Sequence, residues 1–283
     1  MNENLSKKLT TKYIALIAIF SALYTILRYL PLGPMIGLAG TFSFSDALAP
    51  LLGIILGPLA GGISVIIGTF TAAALGKPLV FLGLDFLPAF INCVAMGFLI
   101  KRKWIPVAAL YIMLLSIFII SPYSLVFVQV GSLAIPFMWL HIIAFVVLLS
   151  PLRAKAVNNI KKFNTSNTTL NNHHQSNTNK VVKFIKKFNI HNIAWSLATL
   201  IFIGTMLQHI TGNLLTELIL GFYTQSITDF AGMWTAIFYV YPFERILMIL
   251  IAVCIGVPLI ISIKKSMLPF ETPINEIEKE TNT

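Results

Sequence analysis

The chain has 283 residues, 57% of them hydrophobic and 11% charged, with a mean hydropathy of +0.85. A water-soluble domain carries about a quarter charged residues, so this composition excludes an ordinary soluble enzyme or carrier. The net charge of +10 does not by itself indicate nucleic acid, because Lys and Arg also collect in cytoplasmic loops as orientation signals.

A helix needs about 20 apolar residues to cross a bilayer, and lipid leaves no partner for unpaired backbone groups. The apolar runs here lack the two-residue alternation of barrel strands. They therefore predict an all-α integral membrane protein, a polytopic helical bundle of eight apolar segments. The first is Tyr13 to Leu30, preceded by Lys7, Lys8 and Lys12 and closed by no cleavage site, so it is a membrane helix rather than a signal peptide. The second, Phe42 to Gly57, is short and contains Asp46; Pro58 opens the third, which runs to Leu75, since proline suits a first helical turn. Val80 to Ile100, Ile105 to Ser121 and Leu133 to Leu149 follow, then Ile193 to Leu220 and Tyr239 to Ile263.

This divides the chain into a six-segment transmembrane region (1–152), a basic polar cytoplasmic linker (153–192), a two-segment region (193–265) and a cytoplasmic tail (266–283). Alternating from an inner N-terminus, all 20 Lys and Arg residues except Arg28, Lys77 and Arg245 fall on the cytoplasmic side. The positive-inside rule thus predicts both termini in the cytoplasm and a multi-pass location in the plasma membrane. Within the linker, Thr165 to Asn179 is too hydrophilic to pack and predicts disorder. The His173-His174 pair lacks a metal ligand set. Ile-Lys-Lys-Phe-Asn recurs at 160–164 and 185–189 and suits a segment lying on an anionic lipid surface. Cys93 and Cys254 sit in apolar runs as small hydrophobes.

Polar side chains in hydrocarbon usually face a cavity, a partner or a pathway. Here they gather in the outer halves of the segments: Asp46, Asp85 with Asn92 deeper, Trp139 and His141, then Gln208, His209, Asn213 and Glu217, and finally Trp234, Tyr239, Glu244 and Arg245. His209, Asn213 and Glu217 are spaced by four, which puts them on one helix face. One reading is an outward-facing pocket from segments four, six, seven and eight, with rings for stacking and polar groups for directional bonds. The alternatives are interfacial anchoring and hydrogen bonds that hold the bundle together. Small residues recur every four positions at Gly53, Gly57 and Gly61, and at Ser64, Gly68, Ala72 and Gly76, a spacing that lets helices approach closely. Ala18 and Ala22, with Ala15 beside them, repeat it in the first segment.

The run Ala15 to Leu30, with Ser45-Asp46-Ala47-Leu48-Ala49-Pro50-Leu51-Leu52-Gly53 and Gly57-Pro58-Leu59-Ala60-Gly61-Gly62, resembles the substrate-binding S component of energy-coupling factor (ECF) transporters. Tyr241-Pro242-Phe243-Glu244 at the last helix is similar as well. The resemblance implies capture of a vitamin-like small molecule from outside, in a pocket closed by the loop after the first helix, here Leu32 to Ser45. It also implies a separate transmembrane T component, contacted through Ala18 and Ala22, and a pair of ATPases. The family norm is six helices, so a six-helix core within the eight segments is the implied fold.

The chain has no Gly-x4-Gly-Lys-Ser/Thr phosphate loop, so ATP hydrolysis by that route belongs to another subunit, and no motif calls for a cofactor. Two other functions compete. An ion-coupled secondary transporter would use Asp46, Asp85 and Glu217. A membrane enzyme would pair Asp46 with Asp85, but HExxH and Gly-x-Ser-x-Gly are absent, and the reading adopted is not an enzyme. The expected partners are a small molecule, the transporter subunits and lipid, with no nucleic acid. Outer carboxylates outnumber outer basic residues, which points to a cationic or neutral ligand.

Overall fold

The computed structural model describes residues 3–38, 40–165, 190–225 and 229–265. In chain order these form α1 (Glu3–Arg28), a hairpin of β1 (Pro31–Pro34) and β2 (Thr41–Ser43), α2 (Phe44–Ala74), α3 (Leu87–Ile100) and α4 (Ile105–Ile120). A second hairpin of β3 (Phe127–Val130) and β4 (Leu133–Pro136) leads into α5 (Trp139–Leu149) and α6 (Pro151–Thr165). Then come α7 (Ile190–Thr216), extended by a π-helical stretch (Glu217–Tyr223), and α8 (Phe230–Lys265). Most of the expected disordered linker, His173-His174, the second Ile-Lys-Lys-Phe-Asn copy and the tail 266–283 lie outside the described residues.

The protein is a mostly helical membrane protein. Among the described residues, three helices are long and apolar enough to cross a membrane by length and composition: α7 with its π-helical stretch, α8, and α2, whose length is divided between two arms at Gly57. The pair α5–α6, bent by 64°, makes a fourth if counted as one span. The other apolar helices are shorter. At 1.5 Å per residue the 14-residue α3 rises about 21 Å, against a hydrocarbon core of about 30 Å.

Helix α2 consists of two arms. Gly57 adopts φ 81° and ψ 178°, and Pro58 follows it; this backbone region is open to glycine and closed to most other residues. A Cβ placed on Gly61 would lie 2.8 Å from the Leu52 carbonyl oxygen, whereas nine residues of straight helix span about 13.5 Å. The chain therefore folds back at Gly57, as the separate second and third apolar segments predict. Both arms pack on α3: a Cβ on Gly53 would overlap the Cys93 carbonyl, and one on Gly97 would overlap Pro58. The second arm also packs along α1, where Thr25 Oγ1 donates to the Gly68 carbonyl at 3.1 Å and Tyr29 Oη to that of Ala72 at 3.0 Å. The small-residue stripes thus serve contact within the chain. Ala15, Ala18 and Ala22 lie on the opposite, exposed side of α1.

Four expected boundaries move. The fourth helix starts at Leu87, not Val80, because residues 75–86 carry Gly76 and Gly83 at φ +97° and +95° and Leu82 at φ 51°. The sixth starts at Trp139; Leu133 to Pro136 instead pair with β3 across the two-residue turn Gly131-Ser132, where Gly131 has φ 63°. Residues 153–165, expected to be linker, continue as α6. Its Ala156, Val157, Ile160 and Phe163 are buried in the core, and Asn159 donates to Ser196 Oγ of α7 at 3.1 Å. The first Ile-Lys-Lys-Phe-Asn copy thus buries its apolar residues in protein rather than lipid. The last helix starts at Phe230, nine residues before Tyr239.

The ends of the bundle differ in chemistry. At one end Arg102 Nη2 donates to Asn158 Oδ1 at 2.9 Å, and the Arg153 guanidinium lies 4.8 Å from the Trp104 ring centre. At the other, where α1 ends and α2 and α3 begin, a cavity opens.

Candidate functional site

The cavity has a volume of about 490 Å³, within the range of small-molecule sites. Its walls come from the end of α1, the β1–β2 hairpin and its turn, the first turn of α2, the loop before α3 with the first turn of α3, the C-terminal third of α7 and the first half of α8. The loop after the first helix therefore forms one wall, through Met35, Leu38 and Thr41 to Ser43 among others.

Local sequence explains how the walls are held. In the β1–β2 hairpin Pro34 pairs with Thr41 and Gly33 with Phe42, and the Phe44 N–H donates to the Leu30 carbonyl at 3.0 Å. The chain enters α2 directly at Phe44, and Asp46 in its first turn reaches back: Oδ2 accepts the Ser43 N–H at 2.9 Å and its hydroxyl at 3.3 Å. This satisfies a backbone donor at the helix start. It also leaves Oδ1 to accept from Gln208 Nε2 at 2.9 Å, while Gln208 Oε1 accepts from Asn92 Nδ2 at 2.7 Å. One chain of side-chain bonds thus ties α2 to α7 and α7 to α3. Asn92 reaches α7 because Gly204 leaves room; a Cβ there would overlap Asn92 Oδ1. In the loop before α3 Asp85 accepts the N–H groups of Val80 at 2.7 Å and Phe81 at 3.0 Å. That pins a segment whose glycines would otherwise leave it loose.

Aromatic rings form the α7–α8 side. Tyr241 stacks on His209 with centroids 4.9 Å apart and planes 19° apart, and its hydroxyl donates to the Phe137 carbonyl at 3.0 Å. His209 Nδ1 lies 3.1 Å from Nε2 of His141, with one of the two nitrogens carrying the shared proton. Arg245 is 1% exposed, its guanidinium 5.0 Å from the Phe42 ring centre and Nη2 3.6 Å from Glu244 Oε2. Lys77 in the loop before α3 donates to Thr41 Oγ1 at 3.4 Å. Burial, and next the charge of Arg28, pull the Lys77 ammonium below its usual pKa, against an opposing pull from Asp46.

Of the residues predicted from sequence, Asp46, Asp85, Gln208, His209, Asn213, Glu244 and Arg245 line the cavity. Asn92 and His141 stand one layer behind, bonded to Gln208 and His209. Four others stand apart. Trp234 is fully buried beside Phe118 and Phe137, its Nε1 donating to the Tyr123 carbonyl at 2.7 Å, so it belongs to the core. Tyr239 is 51% exposed, and Trp139 is half-buried outside the cavity lining. Glu217 is buried, and neither carboxylate oxygen has a hydrogen-bond partner. Four residues overshoot a 3.6-residue turn by about 40°, so the second four-residue step from His209 has rotated about 80°, and Thr216 takes the lining position instead. The sixth apolar segment contributes no lining residue, and the first contributes one the sequence reading passed over, Arg28. Lys77 was missed as well. Both carried a signal: with Arg245 they are the three basic residues that do not follow the positive-inside pattern, and all three line the cavity.

No protein-family pattern, curated protein or solved structure matches the chain.

Proposed function

We propose that this protein is the substrate-capture subunit of an uptake transporter of the ECF type, binding a vitamin-like small molecule from outside the cell. The observation that carries the reading is the 490 Å³ cavity, walled by the hairpin after the first helix and by polar and aromatic side chains of α2, α7 and α8. Such a volume takes a vitamin-sized molecule, held by directional bonds from the polar lining. On this reading the cavity end faces outward and the end with Arg102 and Arg153 faces the cytoplasm, with both termini, as the positive-inside rule requires. Ala18 and Ala22, exposed on α1 beside Ile19 and Leu23, offer a smooth face for a transmembrane partner. An ATPase pair would supply the energy.

The test is co-purification. Protein isolated in mild detergent should carry a small molecule at stoichiometric level, identified by mass spectrometry, together with a membrane subunit and ATPases. Ala18→Leu with Ala22→Leu should abolish the subunit association without changing thermal stability. Empty protein, with no thermal shift across a vitamin panel, refutes capture.

A second reading, ion-coupled secondary transport, is favoured by one observation: the buried, unpartnered Glu217 carboxylate in a π-helical stretch, a backbone irregularity frequent at functional sites. Uptake that an ionophore abolishes at constant ATP would select it.

A further inference from the structure

Resting on the capture reading, we infer that the ligand carries a compact anionic group, a carboxylate or phosphate, seated among Arg28, Lys77 and Arg245. Two of the three carboxylates in the cavity are already engaged with the protein, and the third, Glu244, lies 3.6 Å from Arg245. Both oxygens of Asp85 take backbone N–H groups, and Asp46 takes Ser43 and Gln208. The cavity's cationic donors are not engaged in this way. Arg28 and Arg245 are 9% and 1% exposed, yet Arg28 Nε and Arg245 Nε and Nη2 have no hydrogen-bond partner. Arg245 Nη1 has only a 3.5 Å contact to Thr205 Oγ1, and its ion-pair distance to the partly exposed Glu244 is 3.6 Å. Lys77 spends one long bond on Thr41.

A buried guanidinium short of partners is costly, and a planar fork of N–H groups matches a carboxylate or phosphate in pairs. Burial first, and the neighbouring charge of Arg28 second, depress the Lys77 ammonium, and an anion between the two cations would relieve that repulsion. The positions themselves point the same way. These are the basic residues that orientation signalling leaves unexplained, contributed by α1, the loop before α3 and α8, and the fold brings them to one cavity. Outer charges alone favour a cationic or neutral ligand; the anion seat reverses that expectation, because Asp46 and Asp85 hold walls and Glu244 faces Arg245, whereas the cations keep unspent donors.

The experiment measures thermal stability of the full chain in detergent with four probes of matched size at millimolar concentration: benzoate, phenyl phosphate, benzamide and benzylamine. Benzoate or phenyl phosphate should raise the melting temperature, and benzamide and benzylamine should not. Lys77→Gln lies in a loop and should fold normally while weakening the anion by about tenfold, the loss expected for one charge-assisted bond; Arg28→Gln should abolish the shift. Stabilisation by benzamide or benzylamine alone overturns the anionic ligand and leaves capture standing. Equal anion binding by wild type, Lys77→Gln and Arg28→Gln overturns the seat. A co-purified molecule decides in the same way by its own charge. If no probe shifts the protein and nothing co-purifies, capture and the anion seat fall together. Stabilisation by phosphatidylglycerol but by no soluble probe keeps the anion seat and overturns soluble capture.

Discussion

The same substitution at two positions of α7 should have opposite effects. Gly204 and Gly212 lie two turns apart, and glycine in a helix costs about 1 kcal/mol relative to alanine. At Gly212 a Cβ meets nothing within 4 Å, so Gly212→Ala should be neutral or stabilise by up to about 1 kcal/mol. At Gly204 the added methyl would overlap Asn92 Oδ1 and sit 3.1 Å from both Asn92 Cγ and Met96 Cε. Overpacking of this kind costs about 1–3 kcal/mol. Displacing Asn92 also breaks its 2.7 Å bond to Gln208. In a membrane bundle such a bond averages about 0.6 kcal/mol, because the unfolded state finds other partners. Set against the propensity gain, Gly204→Ala should be destabilising by about 0.6–2.6 kcal/mol. Reversible unfolding in mixed detergent micelles, scored by tryptophan fluorescence, measures both variants. Gly204→Ala as stable as Gly212→Ala would refute the tie between α3 and α7, and with it the account of how Gln208 is positioned.

Trp234→Ala should destabilise by about 3–5 kcal/mol, the usual cost of removing a large buried ring, while any folded protein keeps its ligand affinity; a selective affinity loss would return Trp234 to the cavity. Glu217→Gln should hold or raise stability, since the carboxylate is buried without partners, and should leave ligand binding unchanged. Normal binding with abolished uptake in that variant would support ion coupling instead. Asp85→Asn removes the acceptor of one of two backbone donors, so the loop before α3 should become protease-sensitive at a cost of about 1–2 kcal/mol, read by limited digestion.

What the sequence determined is the part of the structure that lipid imposes locally. Apolar runs must be helices whatever they pack against, so each segment contains one, and Gly57-Pro58 encoded the fold-back because few other residues tolerate that backbone. The polar groups to watch were legible for the same reason: Asp46, Gln208 and Asn92 stand out in hydrocarbon, and the structure joins them in one hydrogen-bonded chain. Boundaries were less legible. Leu133 to Pro136 and Val80 to Phe86 are apolar enough for a helix, but backbone pairing and glycine conformations decide otherwise. Tertiary structure alone settled which polar residues share a cavity. A four-residue spacing placed Glu217 with His209 and Asn213, and helical rotation carried it away. The aromatic-rich entry to the last helix placed Trp234 at an interface, and ring packing drew it into the core. Arg28, Lys77 and Arg245 are more than a hundred positions apart at the extremes, and only the meeting of α1, the loop before α3 and α8 makes them one charged wall.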